Sequence, residues 1–472
     1  METIHFGTGG WRAVIADGFT KDNIRLLCAG LCARMRREGV AGEGVCIGYD
    51  RRFLSAEAAG WCAEVFAGAG VPVELIDREA PTPLIMFTVR EHGRPYGLAV
   101  TASHNPAVYN GIKVFTRGGR DATADVTKGV EDEIAQIDPA RIASVPYDDA
   151  VRDGRIRIIN PLNAYIDSIL SLVDTEAIKN AELKIALDPM YGVSRTSLQT
   201  ILITARCDVE VIHDRHDTLF GGRLPAPNVD TLRALANFVT ENKCDLGIAT
   251  DGDADRLGVI DDAGAFLHPN KLLVLLYYYL LEYRGWRGPC VRNNSTTHLL
   301  DRVAAAYGQR AYEVPVGFKY VSAKMTETDA LIGGESSGGL TVRGHIQGKD
   351  GIYAATLLCE MAAKTGKRLS ALYDEITGRF GEVYGADADR RMTEETKQIL
   401  GERMLTQHEC PIFPYPVARV SYEDGCKVYF ENGGWVICRF SGTEPLLRIC
   451  AEMGSAADAE NCVALWTAFL GL

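Results

Sequence analysis

A polar segment, Thr101-Ala-Ser-His-Asn-Pro106, carries a serine hydroxyl that could take part in chemistry. It follows Tyr96-Gly-Leu-Ala-Val100, which predicts a buried strand, so Ser103 should lie at the edge of a sheet, where loops carry functional groups. Asn105-Pro106 predicts a turn, because proline fixes its own φ and restricts the residue before it. Adjacency alone does not make His104 a partner of Ser103, since neighbouring side chains usually diverge. Taken alone, such a segment is most often a polar turn.

Asp251-Gly-Asp-Ala-Asp-Arg256 places three carboxylates at alternate positions after another predicted strand. Clustered carboxylates repel one another and so indicate a cation, and ligand sets made only of oxygen favour Mg²⁺ or Ca²⁺. An EF-hand loop needs glycine at its sixth position and glutamate at its twelfth, where this chain has Arg256 and Asp262. A solvated acidic turn is the remaining alternative to a Mg²⁺ site formed by Asp251, Asp253 and Asp255.

The glycine-rich loop Gly333-Gly-Glu-Ser-Ser-Gly-Gly339 contains a formal G-x-S-x-G pattern. A hydrolase nucleophile elbow requires a helix directly after its serine, whereas Leu340-Thr-Val342 follows here, so the hydrolase interpretation is disfavoured. Glu335 and Ser337 suit hydrogen bonds to sugar hydroxyls. The nearby run 344–349 is one residue short of a Walker A loop and does not support a nucleotide site.

The segment from Arg439 to Arg448, with the sequence RFSGTEPLLR, joins two predicted strands through a tight loop. Ser441, Gly442 and Thr443 could offer backbone N–H groups and hydroxyls to one anion. Arg439 and Arg448 could add charge-assisted hydrogen bonds to phosphate oxygens. The segment therefore predicts a phosphate site. Near the start of the chain, Phe6-Gly-Thr-Gly-Gly-Trp-Arg12 is either a flexible turn or an exposed backbone that lets Arg12 approach an anion.

Strand-like and helix-like segments alternate through most of the chain, which predicts sheets covered by helices. The pattern restarts twice, and the last ninety or so residues change to strand runs typical of an antiparallel sheet. The predicted fold is three consecutive, similar α/β domains with mixed sheets and a C-terminal α+β domain, arranged around one central cleft. The predicted boundaries are 1–152, 153–262, 263–379 and 380–472.

The composition describes an ordinary globular protein of 472 residues with a formal net charge of -12. This charge argues against a nucleic-acid partner, which would require basic patches. The most apolar run, Leu272 to Leu281, is too short for a membrane span of about 20 residues and predicts a core helix. The 13 cysteines, with no Cys-x-x-Cys pair and no signal peptide at the start, predict reduced thiols and a cytoplasmic location.

The four motifs, in the order serine loop, acidic loop, Gly-Glu-x-Ser-Gly loop and Ser-Gly-Thr loop, resemble those of the α-D-phosphohexomutase family. Within that family the chain is most similar to bacterial phosphoglucomutase/phosphomannomutase. The resemblance implies a phosphoserine at Ser103 and Mg²⁺ held by Asp251, Asp253 and Asp255 together with Ser103. It implies that Lys113, Arg256 and Arg12 line the reacting phosphate, with His104 among the catalytic candidates.

The resemblance also implies that Lys319, Glu335 and Ser337 bind the sugar. The non-transferring phosphate would be held by Arg439, Ser441, Gly442, Thr443 and Arg448. The expected reaction interconverts hexose 1-phosphate and hexose 6-phosphate, glucose and/or mannose, through a hexose 1,6-bisphosphate that also activates the enzyme. Lys113 is expected to act as general acid/base, because cationic neighbours can lower the pKa of a lysine. Sugar phosphates are the expected partners, without nucleic acid or membrane, for a monomer or dimer.

Three departures concern the sugar. Phe440 stands where relatives often have proline, Gly317-Phe-Lys319 resembles the glucose-type enzymes, and Gly339 replaces a histidine of some phosphomannomutases. A phosphoglucosamine or phosphopentose mutase on the same scaffold is the alternative substrate class. A sugar-phosphate phosphatase using Ser103 and a non-catalytic sugar-phosphate or metal-binding module are the rival functions.

Overall fold

The structure is a computed structural model that describes residues 4–7, 9–441 and 446–471. The chain divides into two compact units. The first contains the chain up to Leu272 together with Ser337–Leu369, and the second contains Leu273–Ser336 together with the chain from Ser370 onward. Both units contain residues of the predicted site.

The first sheet lies in the first unit and is mixed. Its elements in chain order are β1 (Trp11–Val14), α1 (Lys21–Arg37), β2 (Val45–Tyr49), α2 (Ser55–Gly68), β3 (Val73–Ile76), α3 (Thr82–Glu91), β4 (Tyr96–Val100), β5 (Tyr109–Thr116), β6 (Arg120–Asp121), α4 (Ala124–Ile134), α5 (Tyr147–Arg152) and β7 (Ile156–Ile159). The strand order is β1-β5-β4-β2-β3-β7, with β6 beside β5. Strands β4, β2, β3 and β7 are parallel, and β5 is antiparallel to β4 and β1.

Helix α1 shows how local sequence sets an element of this layer. Thr20 caps its start, since the Thr20 hydroxyl accepts a hydrogen bond from the Asn23 amide at 3.3 Å. The helix buries one face, which includes the apolar residues Ile24, Leu27 and Leu31. This spacing of three to four residues is typical of an amphipathic helix.

The second sheet also lies in the first unit. Its elements are α6 (Leu162–Ser171), α7 (Thr175–Asn180), β8 (Lys184–Asp188), α8 (Arg195–Thr204), β9 (Asp208–Val211), α9 (Arg233–Asn242), β10 (Leu246–Thr250), β11 (Leu257–Ile260) and β12 (Phe266–Leu267). The order is β12-β11-β10-β8-β9, and the acidic loop connects β10 to β11. Strand β10 is parallel to β8 and antiparallel to β11.

The next elements are α10 (Pro269–Glu282), β13 (Cys290–Asn293), α11 (Leu299–Ala306), β14 (Ala311–Val314), α12 (Phe318–Thr328), β15 (Ile332–Gly334), β16 (Leu340–Val342), α13 (Gly351–Thr365) and α14 (Leu369–Phe380). In the second unit, β13 lies between β14 and β15 and is parallel to both. The residues from Leu272 to Leu281 of α10 are all buried, which confirms a core helix. In the described residues no helix combines the length and apolar character that a membrane crossing requires.

The last sheet lies in the second unit and is antiparallel throughout. Its elements are β17 (Tyr384–Arg391), α15 (Glu394–Gly401), β18 (Val417–Ser421), β19 (Cys426–Phe430), β20 (Trp435–Phe440), β21 (Leu446–Met453) and α16 (Ala456–Leu470). The order is β17-β21-β20-β19-β18. Trp466 of α16 packs into the core of this sheet. The predicted class, three α/β domains with mixed sheets followed by an α+β domain, is confirmed.

The strand after the first predicted boundary belongs to the first sheet. Strand β7 begins beyond residue 152 yet pairs with β3, and Arg157 of β7 contacts the buried carboxylate of Glu74 on β3. Strand β7 is therefore the last strand of the first sheet, next to β3. The four predicted domain ranges stay a prediction.

Candidate active site

Polar residues follow three neighbouring parallel strands of the first sheet. Asp50 comes directly after β2, Thr82 opens α3 after β3, and Ser103 follows β4. Because the carboxyl ends of parallel strands meet at one edge of a sheet, these residues approach one another. This edge carries the candidate active site of the first unit.

Ser103 is almost fully buried, at 1% exposure, and its backbone is left-handed with φ 54°. The Ser103 amide donates to the Thr101 hydroxyl at 2.8 Å, and its own hydroxyl donates to Asp251 Oδ2 at 2.9 Å. Ser103 Oγ also lies 3.3 Å from His104 Nδ1. The expectation that adjacent side chains diverge is wrong here, because the left-handed backbone of Ser103 turns the two side chains toward each other.

The acidic loop brings its three carboxylates together. Asp251, Asp253 and Asp255 are at most 1% exposed, and one ligand atom from each lies within 4.8 Å of the others. The Oδ1 atoms of Asp253 and Asp255 are buried without a hydrogen-bond partner. Unpartnered buried carboxylate oxygens are costly unless a cation meets them, so these residues fit a metal ion.

The pKa values of the acidic loop also fit a metal-binding site. Burial raises the pKa of Asp251, and repulsion from Asp253 and Asp255 adds to the effect. The pKa of Asp255 lies well below its usual range, because attraction to Lys113, Lys349 and Arg256 overcomes the effect of burial. Without a metal, therefore, Asp251 takes up a proton more readily than Asp255.

Lys113 of β5 bridges two of these carboxylates. Its ammonium group donates to Asp253 Oδ2 at 2.6 Å and to Asp255 Oδ2 at 2.7 Å. Burial lowers the pKa of Lys113, but attraction to the two carboxylates outweighs it and the pKa rises above its ordinary value. The expected lowered pKa is therefore wrong, because the dominant neighbours of Lys113 are acidic rather than cationic.

Arg12 and His104 contact residues of the serine loop, and Arg256 contacts the acidic loop. Arg12 donates from Nη1 to Asn105 Oδ1 at 2.6 Å, and the Arg256 amide donates to Asp251 Oδ1 at 3.1 Å. The Nε atoms of both arginines are buried without a hydrogen-bond partner. Burial lowers the pKa of His104 well below its usual value, and the charges of Arg256 and Arg12 lower it further. His104 is therefore neutral at neutral pH.

Two further residues of the site are absent from the sequence-based candidates. Lys349 approaches Asp255 Oδ2 at 2.9 Å, and the Thr82 hydroxyl donates to Asp253 Oδ2 at 2.6 Å. The signal for Thr82 is its place after β3, in line with Asp50 and Ser103 at the same sheet edge. Lys349 directly precedes the buried cap residue Asp350 of α13, a signal too weak to identify it from sequence.

Arg52 is a third such residue, and it holds the serine loop. Its guanidinium donates to the carbonyls of Ser103 and Asn105 at 2.7 Å each, of Pro106 at 2.9 Å and of Tyr109 at 3.0 Å. The side chain is fully buried and lies 3.4 Å from Asp50. One planar cation thus satisfies four backbone acceptors of one loop.

The sugar-binding candidates divide between the units. In the second unit, Glu335 is buried and accepts from the Asn293 side chain at 3.1 Å and from the Gly317 amide at 3.0 Å. Lys319 lies in the first turn of α12, two residues after Gly317. Ser337 lies in the first unit and is exposed. No helix follows the glycine-rich loop, since β16 does, so the nucleophile-elbow interpretation fails on the described geometry.

The two arginines of the predicted phosphate segment face each other. Arg439 of β20 and Arg448 of β21 are direct cross-strand partners. Like charges in that register are destabilising unless anions offset them. Asp424 lies 3.5 Å from Arg439 and Asp389 lies 3.9 Å from Arg448.

Ser441 is buried, and its amide donates to the Leu446 carbonyl at 2.8 Å. This N–H is therefore engaged between β20 and β21, and the role of Ser441 in binding phosphate stays a prediction. Gly442 and Thr443 lie outside the described residues.

Comparisons with known proteins match the whole architecture. Profiles of phosphoglucomutase/phosphomannomutase alpha/beta/alpha domains I, II and III match residues 3–141, 163–264 and 268–380, and the C-terminal domain profile matches 386–465. The chain is 29% identical over 460 residues to a phosphoglucomutase/phosphomannomutase of Thermococcus kodakarensis, covering 98% of this chain and 97% of that one. It is 30% identical over 397 residues to a phosphoglucosamine/phosphogalactosamine mutase of Sulfurisphaera tokodaii, covering 83% and 84%.

Solved structures of the same family are also similar to this chain. A crystal structure of a candidate phosphomannomutase from Thermus thermophilus superposes with a TM-score of 0.85 at 28% identity, covering 100% of this chain and 99% of the other. The fold is shared with a phosphoglucomutase/phosphomannomutase family protein of Burkholderia thailandensis, with a TM-score of 0.81 at 22% identity and coverage of 99% and 97%. The chain belongs to the phosphoglucomutase/phosphomannomutase family, whose members are isomerases that act as intramolecular phosphotransferases.

Proposed function

We propose that the protein interconverts hexose 1-phosphate and hexose 6-phosphate, with glucose and/or mannose as the sugar, through a phosphorylated Ser103 and a hexose 1,6-bisphosphate. The observation that carries the proposal is the position of the Ser103 hydroxyl, 2.9 Å from Asp251 Oδ2 in a buried carboxylate cluster. Lys113 and Lys349 contact the same cluster. A nucleophile beside a metal-type cluster and several cations is what phosphoryl transfer requires.

In the transfer step, the bond between phosphorus and Ser103 Oγ breaks and a bond from phosphorus to a sugar hydroxyl forms. The hydroxyl loses its proton, and Oγ gains one. Neutral His104, 3.3 Å from Oγ, takes the proton from the sugar hydroxyl and passes it to Oγ, whereas Lys113 is held protonated by Asp253 and Asp255 and acts as a fixed cation. The reverse step returns the other phosphate of the bisphosphate to Oγ.

The other residues of the site bind the phosphoryl group and the metal ion and keep water away from Ser103. Arg12, Arg256 and Lys349 stabilise the charge on the phosphoryl oxygens. Burial of Ser103 excludes water, which would otherwise hydrolyse the phosphoserine. Asp251, Asp253, Asp255 and Ser103 Oγ would hold Mg²⁺, which when bound supplies positive charge against the phosphoryl oxygens.

The proposal also assigns the groups that bind the substrate. Glu335, Lys319 and Ser337 bind the sugar. Arg439, Ser441 and Arg448, with Gly442 and Thr443, bind the phosphate that is not transferred. A mutase presents its sugar in two orientations, so one fixed anion site serves both substrates.

Phosphorylation of Ser103 is tested by incubating the enzyme with glucose 1,6-bisphosphate and mapping phosphate by mass spectrometry. We expect one phosphate on the peptide that contains Ser103, none in Ser103→Ala, and normal labelling in the control Ser336→Ala. Phosphate on Ser336 or Ser441, with Ser103 unmodified in an active sample, would refute the assignment. Steady release of inorganic phosphate without isomerisation would instead indicate the phosphatase.

The substrate is tested with a coupled assay of glucose, mannose, glucosamine and ribose 1-phosphates, primed with the matching bisphosphate. We expect the highest kcat/KM with glucose or mannose 1-phosphate. A preference for glucosamine 1-phosphate, the activity in the name of the Sulfurisphaera relative, would support the alternative.

Metal binding is tested with Asp253→Asn. Removing one charge from the cluster should weaken Mg²⁺ binding by about tenfold or more, because a charged ligand contributes about 1.5–3 kcal/mol. Titration calorimetry of the purified protein checks the affinity independently of turnover. Asp262→Asn, which alters a carboxylate paired with Arg368 at 3.0 Å, is the control. Unchanged Mg²⁺ affinity in Asp253→Asn, or full activity after exhaustive chelation, would exclude the site.

A further inference from the structure

A single carboxylate, Asp424, lies between two of the proposed substrate-binding loops of the second unit. It belongs to the turn between β18 and β19. Its Oδ2 atom accepts from the Val316 amide at 2.8 Å and from the Asn294 side chain at 3.3 Å. The same atom lies 3.5 Å from Arg439 Nε. Two hydrogen-bond donors and one guanidinium at ion-pair distance, from three segments, therefore meet at one oxygen.

The turn is packed directly against the strand that carries Arg439. Gly425 follows Asp424 with φ 91°, and a Cβ added there would lie 2.4 Å from the Cys438 carbonyl oxygen and 2.6 Å from Arg439 Cβ. Only glycine permits this approach. The position of Asp424 beside Arg439 is thus fixed by backbone packing, and the side chains of Asp424 and Arg439 are 23% and 11% exposed.

Asp424 is also connected to the proposed sugar-binding loop, through the Val316–Gly317 turn. Val316 donates to Asp424, and the next amide, that of Gly317, donates to Glu335 Oε1 at 3.0 Å. Two consecutive amides therefore bind two carboxylates, one beside the proposed phosphate arginine and one in the proposed sugar loop. Helix α12, which carries Lys319, begins directly after Gly317.

We propose that Asp424 is a positioning residue that fixes Arg439 relative to the Val316–Gly317 turn, so that the sugar-binding and phosphate-binding groups contact the substrate as one unit. This inference rests on the proposed function. Asp424 does not touch substrate; it acts through Arg439 on the phosphate and through Val316 and Gly317 on Glu335. A mutase gains from this arrangement, because a fixed distance between sugar and phosphate anchors suits both orientations of the sugar.

The first test compares Asp424→Ala and Asp424→Asn with Glu423→Ala, which removes the neighbouring exposed carboxylate of the same turn. We expect Asp424→Ala to raise KM for glucose 1-phosphate by about ten- to a hundredfold, the effect of losing a charge-assisted contact. Its kcat should change by less than about threefold, because the groups at Ser103 are untouched. Asp424→Asn, which keeps an acceptor for Val316, should fall between wild type and Asp424→Ala.

The second test measures glucose 1-phosphate binding by calorimetry in a Ser103→Ala background. Asp424→Ala should weaken binding, and it should weaken it less when Arg439→Ala is also present, because both changes remove the same anchor. Equal, additive losses would show that Asp424 does not act through Arg439.

The inference is overturned if Asp424→Ala and Glu423→Ala give the same KM, or if only thermal stability falls while KM stays unchanged. If Asp424→Ala does not fold, the KM and the binding affinity of Asp424→Asn are compared with those of Glu423→Ala instead, and equal values overturn the inference. Failure of the proposed function gives another result, because the wild-type protein would then bind glucose 1-phosphate without isomerising it. The binding comparison would still test the role of Asp424 in that case.

Discussion

Gly339 determines where the ammonium group of Lys349 lies. A Cβ added at Gly339 would stand 2.2 Å from Lys349 Cδ and 2.8 Å from its Cγ. The absence of a side chain therefore lets the aliphatic part of Lys349 pass over residue 339 on its way to Asp255. A change at position 339 thereby affects the charge at the acidic loop.

We predict that Gly339→Ala lowers kcat by about tenfold, since moving Lys349 removes one charge-assisted contact of about 1.5–3 kcal/mol. Steady-state kinetics with hexose 1-phosphate check the effect. Lys349→Ala should give a similar loss, and the double variant should lose little more, because both changes act on one contact. Gly42→Ala, where an added Cβ meets no atom within 4 Å, is the control. A fully active Gly339→Ala enzyme would contradict this role.

Residues grouped in one motif could be predicted from sequence, and residues brought together by the fold could not. Ser103 and the three aspartates stand out because each motif is contiguous. Thr82, Lys349 and Arg52 meet the same cluster from distant segments, so only the sheet topology reveals them. The raised pKa of Lys113 escapes sequence reasoning for the same reason, since its carboxylate partners lie on another domain's loop.

At the scale of elements, the serine loop depends on a buried ion pair. Arg52 binds four carbonyls of this loop, and Asp50 beside it accepts from the Thr101 hydroxyl at 2.6 Å and the Ser55 hydroxyl at 2.8 Å. The pair therefore joins the end of β2 to the end of β4. It also holds Ser103 in its left-handed conformation, which costs free energy for a residue other than glycine.

We predict that Arg52→Ala lowers the free energy of unfolding by about 3–5 kcal/mol, because it leaves Asp50 and four carbonyls buried without their partner. Urea denaturation measures the loss, and hydrogen exchange should increase within residues 101–110. Arg51→Ala, which removes an arginine bonded to the Asp214 carbonyl, is the matched control. Equal stabilities of the two variants would contradict the assignment.

Helix α11 begins beside a buried cluster that links it to the last sheet of the second unit. The ring of His298 lies 3.1 Å from Lys427 Nζ and 5.5 Å, between centroids, from Trp435. Burial lowers the pKa of His298 to about 3, and the charges of Arg292 and Lys427 contribute. The folded protein therefore keeps this imidazole neutral.

We predict that acidification destabilises the protein through His298. The unfolded chain takes up a proton near the ordinary pKa of about 6.5, while the folded chain resists it down to about 3. Stability is thus fully present above pH 6.5 and falls by up to about 1.4 kcal/mol for each pH unit between 6.5 and 3. Urea titrations at pH 7, 6 and 5 should show a smaller fall for His298→Gln than for wild type or for the exposed-site control His216→Gln. Identical slopes for all three proteins would refute the assignment.

Long elements with a clear apolar pattern could be predicted closely. The bounds of β4, Tyr96–Val100, agree with the sequence interpretation residue for residue. Strand β1 was not predicted, because its four residues follow a glycine-rich run and gain their strand conformation from pairing with β5. Strand β7 pairs with β3, and its Arg157 contacts Glu74; this pairing joins segments about eighty residues apart, so a local pattern does not reveal it.

At the scale of the whole molecule, the thirteen cysteines, all within the described residues, are free. Eleven are buried, and Cys410 and Cys450 are partly buried. Burial raises the pKa of Cys207 and Cys290 to about 12, which keeps them as unreactive thiols. The sequence predicts this state from the odd count and the absence of paired motifs.

We predict that a thiol reagent labels about two cysteines rapidly in the native protein and all thirteen after denaturation without reductant. Absorbance titration with an aromatic disulfide reagent gives both numbers. The melting temperature should not change on adding reductant. Fewer than thirteen reactive thiols in the denatured, unreduced protein would reveal a disulfide.

The first unit is made of two chain segments that are synthesised at different times. Helix α13 packs against α7, α8 and β11, and it is buried from Gly351 to Met361. These partners are synthesised well before it, and the segment Leu273–Ser336, which belongs to the other unit, comes in between. At about 5–20 residues per second, the roughly hundred residues from β11 to α13 take about 5–20 s to translate. During that interval the apolar surface that later meets α13 stays uncovered, so the nascent chain offers a binding site to chaperones before its first unit can close.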